Sequence, residues 1–246
     1  MSHKHIEIKE GAFVISDAHY SLLRPELLEL FQKIEAEQLH PTQLILMGDI
    51  FDALFGEVPH THIQNSTIIK TLQNISYKIE VIYLEGNHDF NLKTLFPEVR
   101  VVPLQAQPLM CHYKSKSIAL AHGDFDLTLS YKLYTKLIRN SFILKVLSLV
   151  DRALQHTILH KLDLYLAKKD DCKEFIGFYD YVKMRGLERY ACDIFIEGHY
   201  HQNCSFEYKE FSYINLAAFA CNQRYFIVKS LEDKELLKEE KLSKET

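Results

Sequence analysis

Five short histidine- and carboxylate-containing motifs, each directly after an apolar run that predicts a β-strand, constrain this 246-residue chain more than any other feature. In chain order they are Asp17-Ala18-His19, Gly48-Asp49, Gly86-Asn87-His88-Asp89, His122-Gly123-Asp124 and Gly198-His199-Tyr200-His201. In an open α/β sheet, ligands bind beyond the carboxyl ends of the strands. We therefore expect the polar side chains of the five motifs to converge on one point.

The residue types and their spacing predict a site for two divalent metal ions. Asp17 and His19 stand two residues apart, so in an extended segment both side chains leave the same side of the chain, and the same holds for the histidine pair of the last motif. Two Asp, one Asn and four His are about what two divalent ions need as protein ligands. Each motif alone also fits an ordinary turn, but their joint occurrence in this order favours the metal site.

Taken together, the five motifs resemble the signature of the calcineurin-like metallophosphoesterases, and the resemblance spans Asp17 to His201. It implies an α/β fold, namely a four-layer αββα sandwich. It also implies two divalent ions at one edge, with Mn²⁺ preferred and Fe, Zn or Mg as alternatives. The two implied ligand sets share Asp49 as a bridge: one is Asp17, His19, Asp49 and His201, and the other is Asp49, Asn87, His122 and His199.

The same resemblance implies a reaction and two catalytic residues. Two metals activate a water and orient the phosphoryl oxygens for in-line attack on phosphorus. His88 then serves as general acid or charge stabiliser without binding metal, and Asp89 holds it. The chain has no Gly-x-Ser-x-Gly elbow, no Gly-x-Gly-x-x-Gly fingerprint and no Walker loop, which argues against the corresponding serine-nucleophile and nucleotide-binding classes.

Composition predicts one domain spanning residues 1–246, because 47% of the residues are hydrophobic and the chain is long enough for a well-packed core. Five cysteines lack any Cys-x-x-Cys pair, so we expect reduced thiols and a cytoplasmic location. The net charge of -4 argues against a nucleic-acid partner.

Helices predicted at 22–39 and 63–77 alternate with strands, and the charged tail from Leu231 predicts a solvated helix or a frayed end.

Residues 126–189 carry no strand signal and predict a helical insertion between His122 and Gly198. Between Leu127 and Leu166, apolar residues recur at helical spacing, and basic residues separate them. The apolar stripe comprises Leu133, Leu137, Phe142, Val146, Val150 and Leu154. No stretch reaches the roughly 20 apolar residues of a membrane-spanning helix, and basic amphipathic helices are typical of membrane surfaces. The alternative is an ordinary cap whose apolar face packs on the sandwich.

Within the superfamily, this layout is similar to the UDP-2,3-diacylglucosamine hydrolases of lipid A synthesis, which carry a helical insertion directly after their His-Gly-Asp. The resemblance implies cleavage of a pyrophosphate bond, giving UMP and 2,3-diacylglucosamine 1-phosphate, by a peripheral enzyme of the inner membrane surface. It implies a lid over the site and substrate contacts at Asn87, His88, Tyr131, Tyr134 and Arg139. One departure is His88, where the best-known members have Arg. A soluble phosphodiesterase or nucleotide phosphatase and a non-catalytic scaffold remain alternatives.

Overall fold

The computed structural model describes residues 6–126, 128–208, 211–230 and 235–242. Their strands are β1 (Ile6–Glu7), β2 (Phe13–Ile15), β3 (Gln43–Leu46), β4 (Leu54–Phe55), β5 (Glu80–Leu84), β6 (Asp89–Phe90), β7 (Arg100–Val102), β8 (Leu109–Tyr113), β9 (Lys116–Ala121), β10 (Ile194–Glu197), β11 (Cys204–Tyr208), β12 (Phe211–Asn215), β13 (Arg224–Val228) and β14 (Leu237–Lys241). Their α-helices are α1 (Glu26–Glu35), α2 (Pro59–Gln64), α3 (Ser66–Lys78), α4 (Leu129–Ile138), α5 (Ser141–Ala153), α6 (Thr157–Leu166), α7 (Phe178–Met184) and α8 (Phe219–Asn222).

The strands form two six-stranded sheets. The first sheet has the order β14-β13-β2-β3-β5-β7, and its β2, β3, β5 and β7 run parallel. The second has the order β1-β8-β9-β10-β12-β11, and its β9, β10 and β12 run parallel. Strands β4 and β6 form a separate short pair. All five motifs therefore follow strands of the two large sheets, as the sequence predicts.

Successive side chains along a buried strand point into different layers of the sandwich. In β2, Phe13 and Ile15 pack in the cluster that contains the apolar faces of α1 and α3, whereas Val14 packs against the second sheet. The helices present apolar residues at the spacing of one face, which in α1 are Leu27, Leu30, Phe31 and Ile34. Because successive side chains of a strand point to opposite faces, one strand serves both the helix layer and the contact between the sheets.

Helix α7 covers the outer face of the second sheet. Its Phe178 and Val182 pack with Ala119, Phe195 and Tyr213 of that sheet. The layers are thus helix, sheet, sheet and helix, which is the αββα sandwich that the resemblance to the calcineurin-like metallophosphoesterases implies. Among the described helices, none combines the length and apolar composition needed to cross a bilayer.

The region predicted as an insertion has two structural parts. Helices α4, α5 and α6 form one part, and its apolar contact with the rest of the chain includes Leu144 and Leu159, which pack on Val58 and Phe90. Helix α7 and the 3-10 helix Leu187–Tyr190 form the other part, which is a layer of the sandwich itself. Leu127, the first residue of the predicted stripe region, lies outside the described residues.

Two helices differ from their predicted bounds. Helix α1 begins only after Pro25, which lacks a backbone N–H donor, and it ends before Glu37, whose φ is 58°. The predicted helix 63–77 consists of the end of α2 and most of α3. At the break between them, the Asn65 side-chain amide donates to the Ala53 carbonyl, 3.2 Å away.

Two other predictions are wrong. The charged tail contributes β14, which pairs antiparallel with β13 at the edge of the first sheet, where charged side chains can face water. Cys172 and Cys221, 49 residues apart, form a disulfide, whereas Cys111, Cys192 and Cys204 are free. The expectation that all five cysteines are reduced fails, and with it the cysteine-based reason for a cytoplasmic location.

Candidate metal centre

The five motifs meet at the edge shared by the two sheets. Strands β2, β3 and β5 of the first sheet lead into the first three motifs, and β9 and β10 of the second sheet lead into the other two. Three groups of side chains place their ligand atoms within 4.8 Å of one another. The groups are Asp17 with His19 and His201, Asp49 with His122 and His199, and His19 with Asp49 and His88.

Three histidines are oriented by backbone carbonyl groups. Nδ1 of His122 donates to the Met47 carbonyl at 2.9 Å, and Nδ1 of His201 donates to the carbonyl of Asp171. Nδ1 of His88 donates to the Asp52 carbonyl at 2.9 Å. Because a carbonyl can only accept, each Nδ1 carries the proton and Nε2 faces the centre of the site. Metal-binding histidines are usually oriented in this way.

His19 supplies a direct test of whether the site suits a metal. Its side chain is 1% exposed, and both ring nitrogens lack a hydrogen-bond partner, although Nδ1 lies 3.3 Å from an Asp52 carboxylate oxygen. A buried polar atom without a partner is costly in a protein interior. A cation held with Asp17 and His201 would satisfy such a nitrogen, so the residues present fit a metal.

Two carboxyl groups of the site are held in the ionised form, and one histidine is held in the neutral form. Burial works to raise the pKa of Asp17, but His201 and His122 outweigh it and hold the pKa well below its usual value. For Asp49, burial is outweighed by His122, His88 and His19, and the pKa is again lowered. Burial and the nearby His122 lower the pKa of His199 to about 4. Ionised carboxylates and a neutral imidazole are the forms that bind metals.

The ligand loops have an unusual backbone. Left-handed φ values, between 45° and 62°, occur at Asp17, His19, Asp49, His199 and His201. This region costs a residue with a side chain roughly 1–2 kcal/mol, and such conformations concentrate at functional sites. The loops also approach closely at their glycines. A Cβ on Gly86 would overlap the backbone and carboxylate of Asp49, and one on Gly198 would overlap Asp17 and Ser16.

Asp89 organises the site through the backbone. Its carboxylate accepts from the amides of Gly86 at 2.9 Å, Asp49 at 3.1 Å and Ile50 at 2.6 Å. Burial, with the Asp49 charge adding to it, raises the pKa of Asp89 to about 7. The expected support of His88 by Asp89 is replaced by the Asp52 carbonyl, because Asp89 is directed at the loop amides.

The three expected substrate residues of the insertion occupy different environments. The Tyr131 hydroxyl donates to an Asp124 carboxylate oxygen at 3.0 Å, whereas Tyr134 is exposed. Burial and the Asp124 charge raise the pKa of Tyr131, so it remains a donor. Arg139 is buried against Glu85 and the Gly86 carbonyl. Of the three, only Tyr134 presents a largely free surface.

Sequence reasoning did not single out four acidic residues around the ligands. Asp52 contacts His19 and His88, Asp124 accepts from Tyr131, and Glu85 pairs with Arg139. Asp171 pairs with Arg24 at 2.6 Å beside the disulfide at Cys172. Of the four, only Asp124 could have been found from the sequence. It stands two residues after His122, the same spacing as between Asp17 and His19.

An αββα sandwich with carboxylate and histidine side chains that could hold metal ions where its two sheets meet is the architecture of a metal-dependent hydrolase. The family model described as calcineurin-like phosphoesterase matches residues 12–203. The chain therefore belongs to the calcineurin-like phosphoesterase family, and it is an enzyme of that hydrolase class.

Relatives with curated names share a narrower description. The chain is 27% identical over 207 residues to the UDP-2,3-diacylglucosamine hydrolase of Histophilus somni, covering 77% of this chain and 83% of that protein. It is 28% identical over 153 residues to the enzyme of the same name from Pseudomonas putida, covering 61% and 63%. Among solved structures, an archaeal phosphodiesterase is 15% identical with a TM-score of 0.46, covering 94% and 99%.

Proposed function

We propose that the protein hydrolyses the pyrophosphate bond of UDP-2,3-diacylglucosamine, giving UMP and 2,3-diacylglucosamine 1-phosphate. The observation that carries this proposal is an exposed apolar stripe on helices attached to the ligand loops. The names of the Histophilus and Pseudomonas relatives support it independently. A soluble phosphodiesterase or nucleotide phosphatase would share the ligands, but it would have no use for an exposed apolar face beside them.

The ligand groups support two ions that share Asp49. Asp17, His19, Asp49 and His201 would hold one ion, and Asp49, Asn87, His122 and His199 would hold the other, with Mn²⁺ as the metal to test first. The Asn87 amide oxygen lies 3.4 Å from Nε2 of His122, on the side of the second set. Bound divalent ions supply Lewis-acid activation of water and of the phosphoryl oxygens.

The contacts of His88 support a role for it on the phosphate groups, with Asn87 beside it. Because Nδ1 of His88 donates to the Asp52 carbonyl, Nε2 is free to carry a second proton toward a leaving oxygen. That Nε2 lies 3.9 Å from a carboxylate oxygen of Asp49. The backbone amide of His88 donates to the other Asp49 oxygen at 2.8 Å, which positions the main chain of His88 relative to the site.

The insertion supports a lipid substrate. All six residues of the predicted apolar stripe are exposed, with Leu133 at 70% and Phe142 at 75%. A cap of the sandwich would have buried them. Lys132, Lys136 and Lys145 are exposed among them. We propose that this face takes the acyl chains and contacts the anionic inner leaflet, where each basic residue contributes about 1 kcal/mol, and that the enzyme works from the cytoplasmic side as a peripheral protein.

A cavity of about 520 Å³ beside His199 and His201 supports a place for the nucleotide half. Lys169, Lys173, Phe175 and Tyr200 contribute to its lining. Its volume lies in the range of small-molecule sites, and its aromatic side chains suit a base. The substrate would then extend from this cavity, across the ligands, to the apolar face of the insertion.

The deciding experiment is an assay of purified protein with Mn²⁺ and UDP-2,3-diacylglucosamine, with UMP release as the readout. We expect UMP with the diacyl substrate and at least tenfold less with UDP-glucosamine that lacks acyl chains. Equal or faster cleavage of the substrate without acyl chains, or of a small phosphodiester, would replace the lipid assignment by a soluble phosphodiesterase.

A further inference from the structure

Arg139 differs from the other basic residues of the helix that it ends. Lys132 and Lys136 of α4 are exposed, whereas Arg139, the C-terminal cap of α4, is only 8% exposed. A buried guanidinium needs partners of opposite charge and acceptors for its N–H groups. The role of Arg139 is therefore best inferred from the groups that it contacts.

The partners of Arg139 all belong to the ligand-bearing loops. Its Nη2 donates to the Gly86 carbonyl at 2.7 Å, and its Nη1 donates to a Glu85 carboxylate oxygen at 3.4 Å. Nη2 also lies 3.9 Å from an Asp124 carboxylate oxygen, two residues after His122. The guanidinium lies 4.8 Å from the centre of the Phe90 ring, a cation–π contact.

The Gly86 carbonyl lies immediately before Asn87, so Arg139 acts on the peptide that leads into two functional residues. Asp89 holds the same glycine from the other side, through its amide at 2.9 Å. The main chain of Arg139 adds a second link, because its carbonyl accepts from the Asn91 side chain at 2.9 Å. The loop 86–91 is thus held between a carboxylate of its own and an arginine of the insertion.

We infer that Arg139 is a positioning residue that sets the loop of Asn87 and His88, so that the insertion and the ligand set containing Asn87 are fixed together. The role differs from the substrate contact expected from sequence. It rests on the metal centre of the proposed function and is independent of the lipid substrate. Its consequence is that the chain binds the ion near Asn87 at full affinity only when α4 is docked.

The test compares Mn²⁺ affinity among variants. R139M alone would leave Glu85 buried without a counter-charge, so the informative variant is R139M/E85Q, in which both charges are removed. E85Q alone keeps the bond from Arg139 to the Gly86 carbonyl, and K136M removes an exposed cation of the same helix. Affinity for Mn²⁺ is measured by calorimetry at a temperature where circular dichroism shows every variant folded.

We expect R139M/E85Q to bind one of the two Mn²⁺ ions about 10- to 100-fold more weakly, the usual loss when a residue that orients a ligand is removed. E85Q and K136M should bind both ions as the wild type does. Unchanged Mn²⁺ affinity in R139M/E85Q, together with a raised KM, would overturn the inference and make Arg139 a substrate contact. Failure of the lipid assignment alone would leave these binding results unchanged.

Discussion

Asp49 is the residue that the two proposed ligand sets share. One of its carboxylate oxygens accepts from the His88 amide at 2.8 Å, and the other lies 3.4 Å from Nε2 of His122. Its backbone is held in the left-handed region at φ 51°, with its amide bonded to Asp89. The side chain is therefore fixed between the two halves of the site, and a neutral substitute would keep its shape but lose its charge.

Asp49→Asn should abolish turnover and reduce bound metal below two ions per chain, because one neutral oxygen does not compensate two cations. Loss of a residue that only orients a ligand costs 10- to 100-fold, so we expect a loss of more than about 100-fold here. Activity and metal content, measured by mass spectrometry on the same preparation, check the prediction. Near wild-type activity with two bound ions would contradict the bridging assignment.

His88→Ala should slow turnover by about 10² to 10⁴-fold, the range for a positioned acid, while both ions stay bound. His88 nevertheless lies within ligand distance of His19 and Asp49. Metal analysis of the purified variant separates the two roles, since loss of an ion would make His88 a ligand. His88→Arg, which restores the residue of the best-known lipid A enzymes, should retain activity if the substrate is theirs.

Helices α4, α5 and α6 of the insertion have one face that packs on the sandwich and one face that is exposed. Their caps are local, since Thr128 accepts from the Tyr131 amide and Asn140 accepts from the amides of Phe142 and Ile143. Leu144 packs toward the sandwich, and Phe142 points away from it with 75% of its surface exposed. The exposed face is where we propose the lipid contact, because Phe142 takes no part in the packing of Leu144 on the sandwich.

Phe142→Asp should raise KM for the diacyl substrate and leave hydrolysis of a water-soluble phosphodiester nearly unchanged, because only the former needs the apolar face. A matched control is Tyr77→Asp on α3, where an aromatic side chain is equally exposed, at 73%, outside the insertion. Steady-state kinetics on both substrates give the answer. Equal losses on the two substrates would make the helices an ordinary structural cap.

Local sequence predicts the strands and helices that have a hydrophobic pattern of their own. It does not predict those whose conformation depends on residues far away in the chain. The apolar runs before the five motifs form strands because both faces are buried. The sequence of β14, Leu-Lys-Glu-Glu-Lys, has no such pattern, and its pairing with β13 supplies the extended conformation. Arg139 resembles Lys136 in sequence, and its burial depends on Glu85, 54 residues earlier. Nor does the spacing of five cysteines determine which two pair.

At the scale of the whole molecule, the disulfide joins segments that flank one of the proposed ligand sets. Cys172 follows Asp171, whose carbonyl accepts from His201, and Cys221 lies in α8, where the amide of Ala220 donates to the Asp17 carbonyl at 3.1 Å. The bond therefore connects the segment between α6 and α7 to the short helix α8. We expect it to stabilise the fold through the 49-residue separation that it closes.

Cys172→Ser should lower the free energy of unfolding by about 2–4 kcal/mol, the usual contribution of a disulfide. Guanidinium denaturation measures the change, and Cys192→Ser, which removes a free thiol, is the control. A dithiol reductant should bring the wild type to the stability of Cys172→Ser and leave that variant unaffected. A wild type that is equally stable with and without reductant would show that the bond contributes nothing.

The proposed ligands follow strands of both sheets, and this affects when the site can form during synthesis on the ribosome. The amide of His199 donates to the Asp17 carboxylate across 182 residues of chain. Domains fold as synthesis proceeds, at about 5–20 residues per second. When only the first three motifs have been synthesised, Asp17, His19 and Asp49 are present, but the histidines that follow β9 and β10 are not. If these residues are the ligands, we expect no metal-dependent hydrolysis from a ribosome-bound chain until the segment that ends at His201 has left the exit tunnel.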